Sequence, residues 1–375
     1  MPWKELSVYE QRLSLIHRIV TLRRSTAQVA QEFGVSRKTV HKWLRRYRDH
    51  QSLDDQSRRP KSSPDKTAQE IEDAVVDVRE RHNWGARKIH HVLALQKIAV
   101  PSVRTVASIL SRRGYVPLSP ANTPPGPIPF ERATPNELWQ LDHKGAIEVQ
   151  RTRIWPLSVV DDYSRYCLCF KRAGDVTMAT TWDLLWGLFE QYGLPSSLLC
   201  DNAFSASVGL SWFDARLVRL DIQPLHGRPR HPQTQGKVER FNGTSERELL
   251  SFNVRRDSFE HFDEDAERFR MTYNTVRPHE ALGDEPPVTR WKRSERMRPP
   301  VLPQVSYPPG TMTRRVSQVG DIRYHGSRIL VGRALHQELM AIEECEQEIR
   351  IYYAWKLVRV IPLANIPGGR CDKMI

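Results

Sequence analysis

Three acidic residues occupy positions where their carboxylates could act together. Asp142 interrupts NELWQLDHKGAIEV, which alternates like a β-strand, and Asp201 directly follows the short apolar segment SSLLC. Glu239 lies early in an amphipathic helix that begins within HPQTQGKVERFNG. A carboxylate in an apolar strand costs free energy unless it is paired or bound to a cation. Carboxylates are preferred ligands of Mg²⁺, and paired ions of this kind drive phosphoryl transfer. From these residues alone, three purely structural acids remain the alternative.

The segments around these acids predict an α/β domain, because strands alternate with helices and acids follow strand ends. By period two, Cys167 and Cys169 should lie on one face of a strand and belong to the core. The predicted elements are a strand in 136–149, two strands in 151–172 with a turn at Asp161–Arg165, a helix in 177–193, a strand in 196–200, a helix in 211–219 and a strand in IQPLHG.

Five motifs in this region occur in a recognisable order: WQLDHKG, VVDDYSRY, CDN, HPQTQGKVERFN and YNTVRPHEAL. Together, over about residues 134–290, they resemble bacterial insertion-sequence transposases of the DDE or retroviral-integrase superfamily. The 37 residues between Asp201 and Glu239 are close to the spacing typical of that family. The resemblance implies a ribonuclease-H-like core at 136–290, with Asp142, Asp201 and Glu239 as catalytic residues. It also implies that these three acids bind two Mg²⁺ ions, for which Mn²⁺ can substitute.

The resemblance assigns further roles near Glu239. His231, Gln235, Lys237 and Arg240 should face the DNA end. Two positions depart from the family: Ala203 stands where glycine is usual, and Glu246 where a basic residue is common. Asp161 and Asp162 are expected to order the turn between two strands, although one could approach the metal ions.

Residues 1–50 contain a predicted helix-turn-helix within STAQVAQEFGVSRKTVHKWLRRYR (25–48). Val29, Ala30 and Phe33 form one apolar face, Gly34 permits a tight turn and Ser36 can cap the next helix. In a recognition helix the basic residues lie opposite the buried face and reach DNA. The candidate contacts are Arg37, Lys38, His41, Lys42, Arg45 and Arg46. An ordinary basic helical hairpin is the alternative.

Residues 67–115 predict a second helix-turn-helix-like module, in which Ser102 caps the last helix. Arg87, Lys88 and Arg104 are its candidate DNA contacts, and a purely structural three-helix unit is the alternative. Polar or proline-rich linkers are predicted at 51–66 and 116–135.

Residues 283–310 are rich in proline and arginine and predict a linker, bounded as a domain at 291–310, that contains a short basic helix; a small β-domain follows at 311–375. Alternating segments there indicate about five short strands. The segment resembles the SH3-like β-barrels of related transposases, which implies a module that contacts DNA or another protomer; a plain stabilising role is the alternative. The EECEQE segment is expected to form a hairpin edge or turn.

Charge is distributed unevenly along this basic chain, whose net charge is +13. Residues 1–115 carry +11, residues 137–282 carry −3 and residues 283–375 carry +5. Basic ends around an acidic middle favour a polyanionic partner and a metal-binding centre. No apolar run reaches the roughly 18 residues that a membrane span needs, and the five scattered cysteines predict no zinc cluster or disulfide framework. A bacterial cytoplasmic, nucleoid-associated protein without a membrane partner is expected.

The overall prediction is a multidomain DNA transposase. The front modules would bind the terminal inverted repeats of an insertion sequence, and the core would cleave the element ends and transfer them into target DNA. Joining two ends implies a homo-oligomer, at least a dimer. Two rivals remain: a DNA-binding repressor that has lost catalysis, and a structure-directed nuclease that does not join strands.

Overall fold

A computed structural model describes residues 6–56, 66–115, 131–227 and 235–366. The chain divides into two compact units, Met1–Lys66 and Thr67–Ile375. Among the described residues, no helix is both long enough and apolar enough to cross a membrane.

The first unit is a three-helix bundle in which a serine caps each helix. Ser7, Ser25 and Ser36 each accept a hydrogen bond from the backbone N–H three residues later. Gly34 has a φ of 61° in the turn before the third helix, a conformation that glycine adopts without steric cost. The helices are α1 (Val8–Val20), α2 (Thr26–Glu32) and α3 (Arg37–Arg48). Their shared core contains Leu15, Ile16, Val29, Val40 and Trp43. The predicted helix-turn-helix is confirmed.

A second helical module opens the second unit. Ser102 caps its last helix, as predicted, by accepting a hydrogen bond from the N–H of Thr105. Glu72 is buried and its carboxylate pairs with Arg112 at 2.7 Å, which joins the first and last helices. The helices are α4 (Gln69–His82), α5 (Ala86–Leu95) and α6 (Val103–Arg112).

The centre of the second unit is a five-stranded mixed sheet. Its strands are β1 (Leu138–His143), β4 (Leu157–Asp161), β5 (Cys167–Lys171), β6 (Ser197–Cys200) and β7 (Gln223–His226), in the order β5-β4-β1-β6-β7. Strand β1 pairs antiparallel with β4 and parallel with β6, while β7 runs parallel to β6. A small hairpin of β2 (Ile147–Val149) and β3 (Thr152–Ile154) lies outside this sheet. Because β1 and β6 are parallel, their carboxyl ends meet at one edge.

Helices cover both faces of this sheet, as in the predicted ribonuclease-H-like core. The helices are α7 (Met178–Tyr192), α8 (Trp212–Arg219), α9 (Gly236–Ser245) and α10 (Phe259–Thr275). On one face, Leu185 of α7 and Phe213 of α8 pack in a cluster with Val159. On the other face, Phe241 of α9 and Phe262 of α10 pack with Val160. Adjacent residues of β4 therefore serve opposite cores, as the period of a strand requires.

The two cysteines of β5 lie on opposite faces, which corrects the prediction that they share one. Both are buried, but Cys169 packs beside Val159 and Cys167 beside Val160. The cause is a shift in the β4–β5 register between these two β4 residues, where one extra residue is inserted.

The C-terminal part contains six strands rather than five, and they do not close into the predicted barrel. The strands are β8 (Thr313–Arg315), β9 (Asp321–Tyr324), β10 (Ser327–Leu330), β11 (Leu339–Glu344), β12 (Glu348–Tyr353) and β13 (Lys356–Pro362). They form a four-stranded sheet, β13-β12-β11-β8, and a separate β9–β10 hairpin. With only three residues, β8 pairs with β11 and provides no ladder to β9. The predicted EECEQE turn joins β11 to β12.

Close backbone contact fixes the C-terminal sheets to the domain built on the five-stranded sheet. A Cβ atom on Gly209, which has a φ of 70°, would lie 1.8 Å from the carbonyl oxygen of Val331. Only glycine fits there. Trp355 adds a hydrogen bond from its indole N–H to the carbonyl of Val218 in α8, at 3.1 Å.

The preceding segment lies against the core, and over 283–310 it contains the short 3₁₀ turn Pro287–Thr289 in place of the predicted basic helix. Trp291 stacks on Tyr166 with ring centroids 4.8 Å apart. The guanidinium of Arg296 donates to the carbonyls of Pro195, Leu220 and Asp221. These contacts use the side chains and backbone of the core in place of helical hydrogen bonds.

Candidate active site

Asp142 and Asp201 lie side by side at the carboxyl ends of two parallel strands. The β1–β6 ladder ends with Gln140 paired to Leu199, and continuing this register by two residues places Asp142 opposite Asp201. The backbone of Asp201 is still extended. Neighbouring strands are about 4.8 Å apart, and matched residues direct their side chains to the same face. The two carboxylates therefore share one face of the sheet edge.

Helix α9 brings Glu239 to the same place. The side-chain amide of Asn242 donates to Asp142 Oδ2 at 2.8 Å, and its oxygen accepts from Ser158 Oγ at 2.6 Å. At the start of the helix, the N–H of Val238 donates to Gln140 Oε1 at 3.2 Å. Residues three apart lie on one side of a helix. Glu239 is thus on the side of α9 that faces Asp142, one turn before Asn242.

The ionisation of Asp142 reflects this crowding of acids. Its pKa is raised to about 6, chiefly by burial and then by the negative charge of Asp201. The hydrogen bond from Asn242 opposes the rise, and Glu239 adds a smaller repulsion. A bound cation would offset such repulsion between carboxylates.

The carboxylates of Asp142, Asp201 and Glu239 are donors that suit a hard divalent cation, although their oxygen atoms do not surround a common coordination site. Within residues 6–56, 66–115, 131–227 and 235–366, no three His, Cys, Asp or Glu side chains are grouped closely enough to hold a metal ion. Asp142 is turned to Asn242, and Asp201 Oδ1 accepts from the N–H of Ala203 at 3.0 Å. Three carboxylates supply oxygen only, which suits Mg²⁺ or Mn²⁺ better than zinc.

The loop after Asp201 accommodates Ala203 without strain. Asp201 caps the short helical turn Asn202–Phe204, and Ala203 is not among the residues with positive φ. A glycine is therefore not required by the backbone at this position. Phe204 is buried and stacks on His143, with ring centroids 6.1 Å apart, which anchors the loop beside β1.

Models of two kinds of protein family match this chain. Integrase core domain models match residues 132–232 and 220–287. Homeodomain-like domain models match residues 9–55 and 39–110. This chain is a member of the DDE transposase/integrase superfamily.

Solved retroviral integrases are among the structures that resemble this superfamily member. The catalytic core domain of HTLV-2 integrase, in complex with magnesium in a trimeric form, shares 18% identity. The match covers 42% of this chain and 97% of that one, with a TM-score of 0.33. A simian T-cell lymphotropic virus intasome in complex with PP2A regulatory subunit B56 gamma shares 17% identity over 73% and 92% of the two chains, with a TM-score of 0.38.

The sequence predicted that Lys237 contacts DNA, but in the structure its side chain pairs with an acid of the integrase core. Its ammonium lies 2.8 Å from Asp162 Oδ1, and only 10% of its side chain is exposed. Asp162 also accepts from Gln140 Nε2 at 2.7 Å and from the N–H of Arg132 at 2.8 Å. Asp161 accepts from Ser164, as expected for an acid that orders the turn after β4.

Glu246 has a basic neighbour that comes from another element. Lys144, two residues after Asp142, places its ammonium 2.8 Å from Glu246 Oε2. This ion pair lowers the pKa of Glu246, mainly through the hydrogen bond from Lys144. A positive charge is thus present beside α9 even though position 246 is acidic.

The helix-turn-helix of this integrase relative presents a basic surface on α3. Arg37, Lys38, His41, Lys42 and Arg45 are exposed. Arg46 is half-buried and donates to the carbonyl of Asp54 at 3.2 Å. Lys42 and Arg46 lie over the Trp43 ring, 4.7 Å and 4.9 Å from its centroid, which orients both cations beside the buried side of the helix.

The other predicted DNA contacts differ in their exposure and in their partners. Arg104 on α6 and Arg240 on α9 are exposed, whereas Gln235 is half-buried. Arg87 and Lys88 are paired with acids of the catalytic core. His231 lies outside the described residues.

Sequence reasoning missed two amides beside the acids: Asn242, which binds Asp142, and Gln140, which binds the N–H of Val238 next to Glu239. Asn242 follows Glu239 by three residues, and Gln140 precedes Asp142 by two, so each shares a face with its acid. That spacing was the available signal. Neither residue type is unusual on a helix or strand, so the signal was weak.

We expect Asn242→Ala to weaken both the fold and catalysis. The change leaves Ser158 without its partner and removes the donor to Asp142, which should lower the free energy of unfolding by about 2 kcal/mol. Denaturant unfolding and single-turnover DNA cleavage would measure the two effects. Asn253→Ala, at an exposed position, is the control. Wild-type stability and rate in Asn242→Ala would contradict the proposed role.

Proposed function

We propose that this chain is a DNA transposase. It binds the terminal inverted repeats of an insertion sequence, hydrolyses a phosphodiester at each element end and transfers the end into target DNA. The observation that supports this most directly is the crowding of the three acids: the pKa of Asp142 is raised by burial and by the charges of Asp201 and Glu239, at the edge where the parallel strands β1 and β6 end.

In this proposal Asp142, Asp201 and Glu239 would hold two Mg²⁺ ions, which would supply activation of the attacking oxygen and stabilisation of the leaving oxygen. The protein fixes the positions of the three carboxylates. Asn242 ties α9 to Asp142, and Gln140 ties the start of α9 to β1. The Asp161 and Asp162 carboxylates instead keep the β4 turn in place.

The reaction needs no nucleophilic side chain. In the first step water adds to phosphorus, and the bond to the 3′ oxygen breaks to leave a 3′-hydroxyl on the element end. In the second step this hydroxyl attacks a target phosphodiester, forming one new phosphorus–oxygen bond and releasing another 3′-hydroxyl. Both steps proceed without a covalent protein–DNA intermediate.

DNA recognition is assigned to the basic surface of α3. Its exposed cations can contact phosphates and base edges of the repeats. Because two element ends must be joined to one target, the active form is a homo-oligomer, at least a dimer.

A strand-transfer assay tests this function. The substrate is a duplex that carries the DNA flanking the coding region, incubated with the full chain, Mg²⁺ and a supercoiled plasmid. The proposal predicts plasmid products covalently joined to the duplex. Nicked duplex without joined product would indicate a nuclease, and specific binding without cleavage would indicate a repressor.

A further inference from the structure

The second helical module is docked on the catalytic core through direct hydrogen bonds. The side-chain amide of Asn83 donates to the carbonyl of Arg247 at 2.8 Å. The indole N–H of Trp84 donates to Glu248 Oε2 at 2.9 Å. Asn83 ends α4 with a φ of 54°, and this left-handed turn directs the chain toward the core.

Glu248 is the centre of this interface. Its side chain is 7% exposed and accepts two hydrogen bonds from Arg277, both at 2.8 Å. Lys88 of the helical module lies 3.3 Å from Glu248 Oε1, which also accepts one of the bonds from Arg277. A buried carboxylate is stable only when its lone pairs are satisfied. Here the partners come from both the core and the helical module, so the two parts share one buried charge.

Arg87 adds a second connection at the surface. Its guanidinium lies 2.8 Å from Asp284 and 3.1 Å from Glu280. Both partners belong to the core, in the segment that follows α10. Arg87 and Lys88 therefore hold the module on the protein, in contrast to the DNA contacts predicted for them.

The docking point is directly connected to the helix that carries Glu239. Helix α9 ends at Ser245 and continues without a break into a π-helical turn, Glu246–Leu250. Such turns redirect side chains within a helix and are frequent at functional sites. Glu248 in this turn binds the module, so Glu239 and the module are fixed to one continuous helical segment.

Helix α6, which makes none of these docking contacts, has an exposed face that is available to DNA. Helix α6 buries Val106, Ile109 and Leu110 against the module's own core. Arg104 and Ser108 on the same helix are exposed. DNA bound to this surface would be held at a fixed distance from Asp142, Asp201 and Glu239.

We infer that the docking of the second helical module through Glu248 determines which phosphodiester is cut, by fixing DNA held on the module relative to the three acids. Glu248, Trp84 and Lys88 act as positioning residues, since they reach the reaction through the protein. The inference rests on the proposed cleavage of element ends. A change that loosens the docking should spread cleavage over neighbouring phosphodiesters while the module still binds DNA.

The test maps the cut positions on an end-labelled duplex that carries the DNA flanking the coding region. The variants are the double change Trp84→Phe and Lys88→Met, which removes both module-side partners of Glu248 and leaves Arg277 paired, and separately Glu248→Gln. Glu70→Gln, an exposed acid in the first turn of α4, is the control. Thermal unfolding and gel-shift affinity are measured in parallel.

Wild type and control should cut at one position. The double variant should cut there about 10²-fold more slowly, because small misplacements of the reacting atoms are costly. It should also gain cuts at adjacent positions and keep its DNA affinity. A double variant that cuts only at the wild-type position, whatever its cleavage rate, would overturn the inference. Absence of cleavage by the wild-type chain would count against the proposed function itself. If Glu248→Gln fails to fold, the double variant decides.

Discussion

Replacing Asp201 with Asn should reduce DNA-end cleavage by about 10³-fold, corresponding to roughly 4 kcal/mol of lost transition-state stabilisation. Asp142→Asn and Glu239→Gln should behave alike, because the three carboxylates act as one unit. Each substitution keeps the shape of the side chain and removes its charge. Binding of the end duplex should change by less than about twofold, since the helix-turn-helix surface is untouched. Single-turnover cleavage and gel-shift titration measure the two quantities.

A neighbouring acid provides the matched control for these variants. Glu148 is exposed on the small β2–β3 hairpin, and Glu148→Gln should cleave at the wild-type rate. Undiminished cleavage in any of the three acid variants would remove that acid from the active site. Equal losses of cleavage and of binding would point to a folding defect instead.

Lys237→Met should destabilise the protein by about 3 kcal/mol, because it leaves the buried carboxylate of Asp162 without its positive partner. The ammonium lies 2.8 Å from Asp162, and the side chain of Asp162 is 1% exposed. Removing one member of a buried ion pair generally costs more than the pair contributes. Urea unfolding of the full chain measures the effect.

Arg240→Met is the informative comparison, because Arg240 lies three residues further along α9 and is exposed. It should lower affinity for the end duplex by about tenfold, as expected for one lost charged contact, and leave unfolding unchanged. If instead Lys237→Met unfolds like the wild type and binds DNA weakly, the sequence-based assignment of Lys237 to DNA would be correct and its structural role wrong.

The elements of this fold were largely predictable where local signals agreed. Serine caps, apolar periodicity and Gly34 identified the helix-turn-helix, since caps and periodicity are properties of neighbouring residues. Asp142 was conspicuous as a carboxylate in an apolar strand, whereas the grouping of the three acids was predicted from the resemblance of the surrounding motifs. Their shared position depends on the β1–β6 register, which links residues far apart in sequence.

The ion pairs made by several of the predicted DNA contacts depend on such distant partners. Lys237, Arg87 and Lys88 have the composition of DNA contacts, but Asp162, Asp284 and Glu248 meet them only after the chain folds. The register shift that separates Cys167 from Cys169 depends on the partner strand β4. In the same way, the open C-terminal sheet results from the lengths of strands that pair across the domain.

The metal preference of Asp142→Cys tests the central claim most directly. A carboxylate suits Mg²⁺ and Mn²⁺, whereas a thiolate binds Mg²⁺ poorly and accepts softer ions more readily. If Asp142 holds the metal ion, the variant should lose DNA-end cleavage in Mg²⁺ and recover a measurable part of it in Mn²⁺. The wild type should cleave with either ion, and chelation of the ion should stop its cleavage. Cleavage by Asp142→Cys in Mg²⁺ at the wild-type rate, or cleavage by the wild type in the presence of EDTA, would contradict the account.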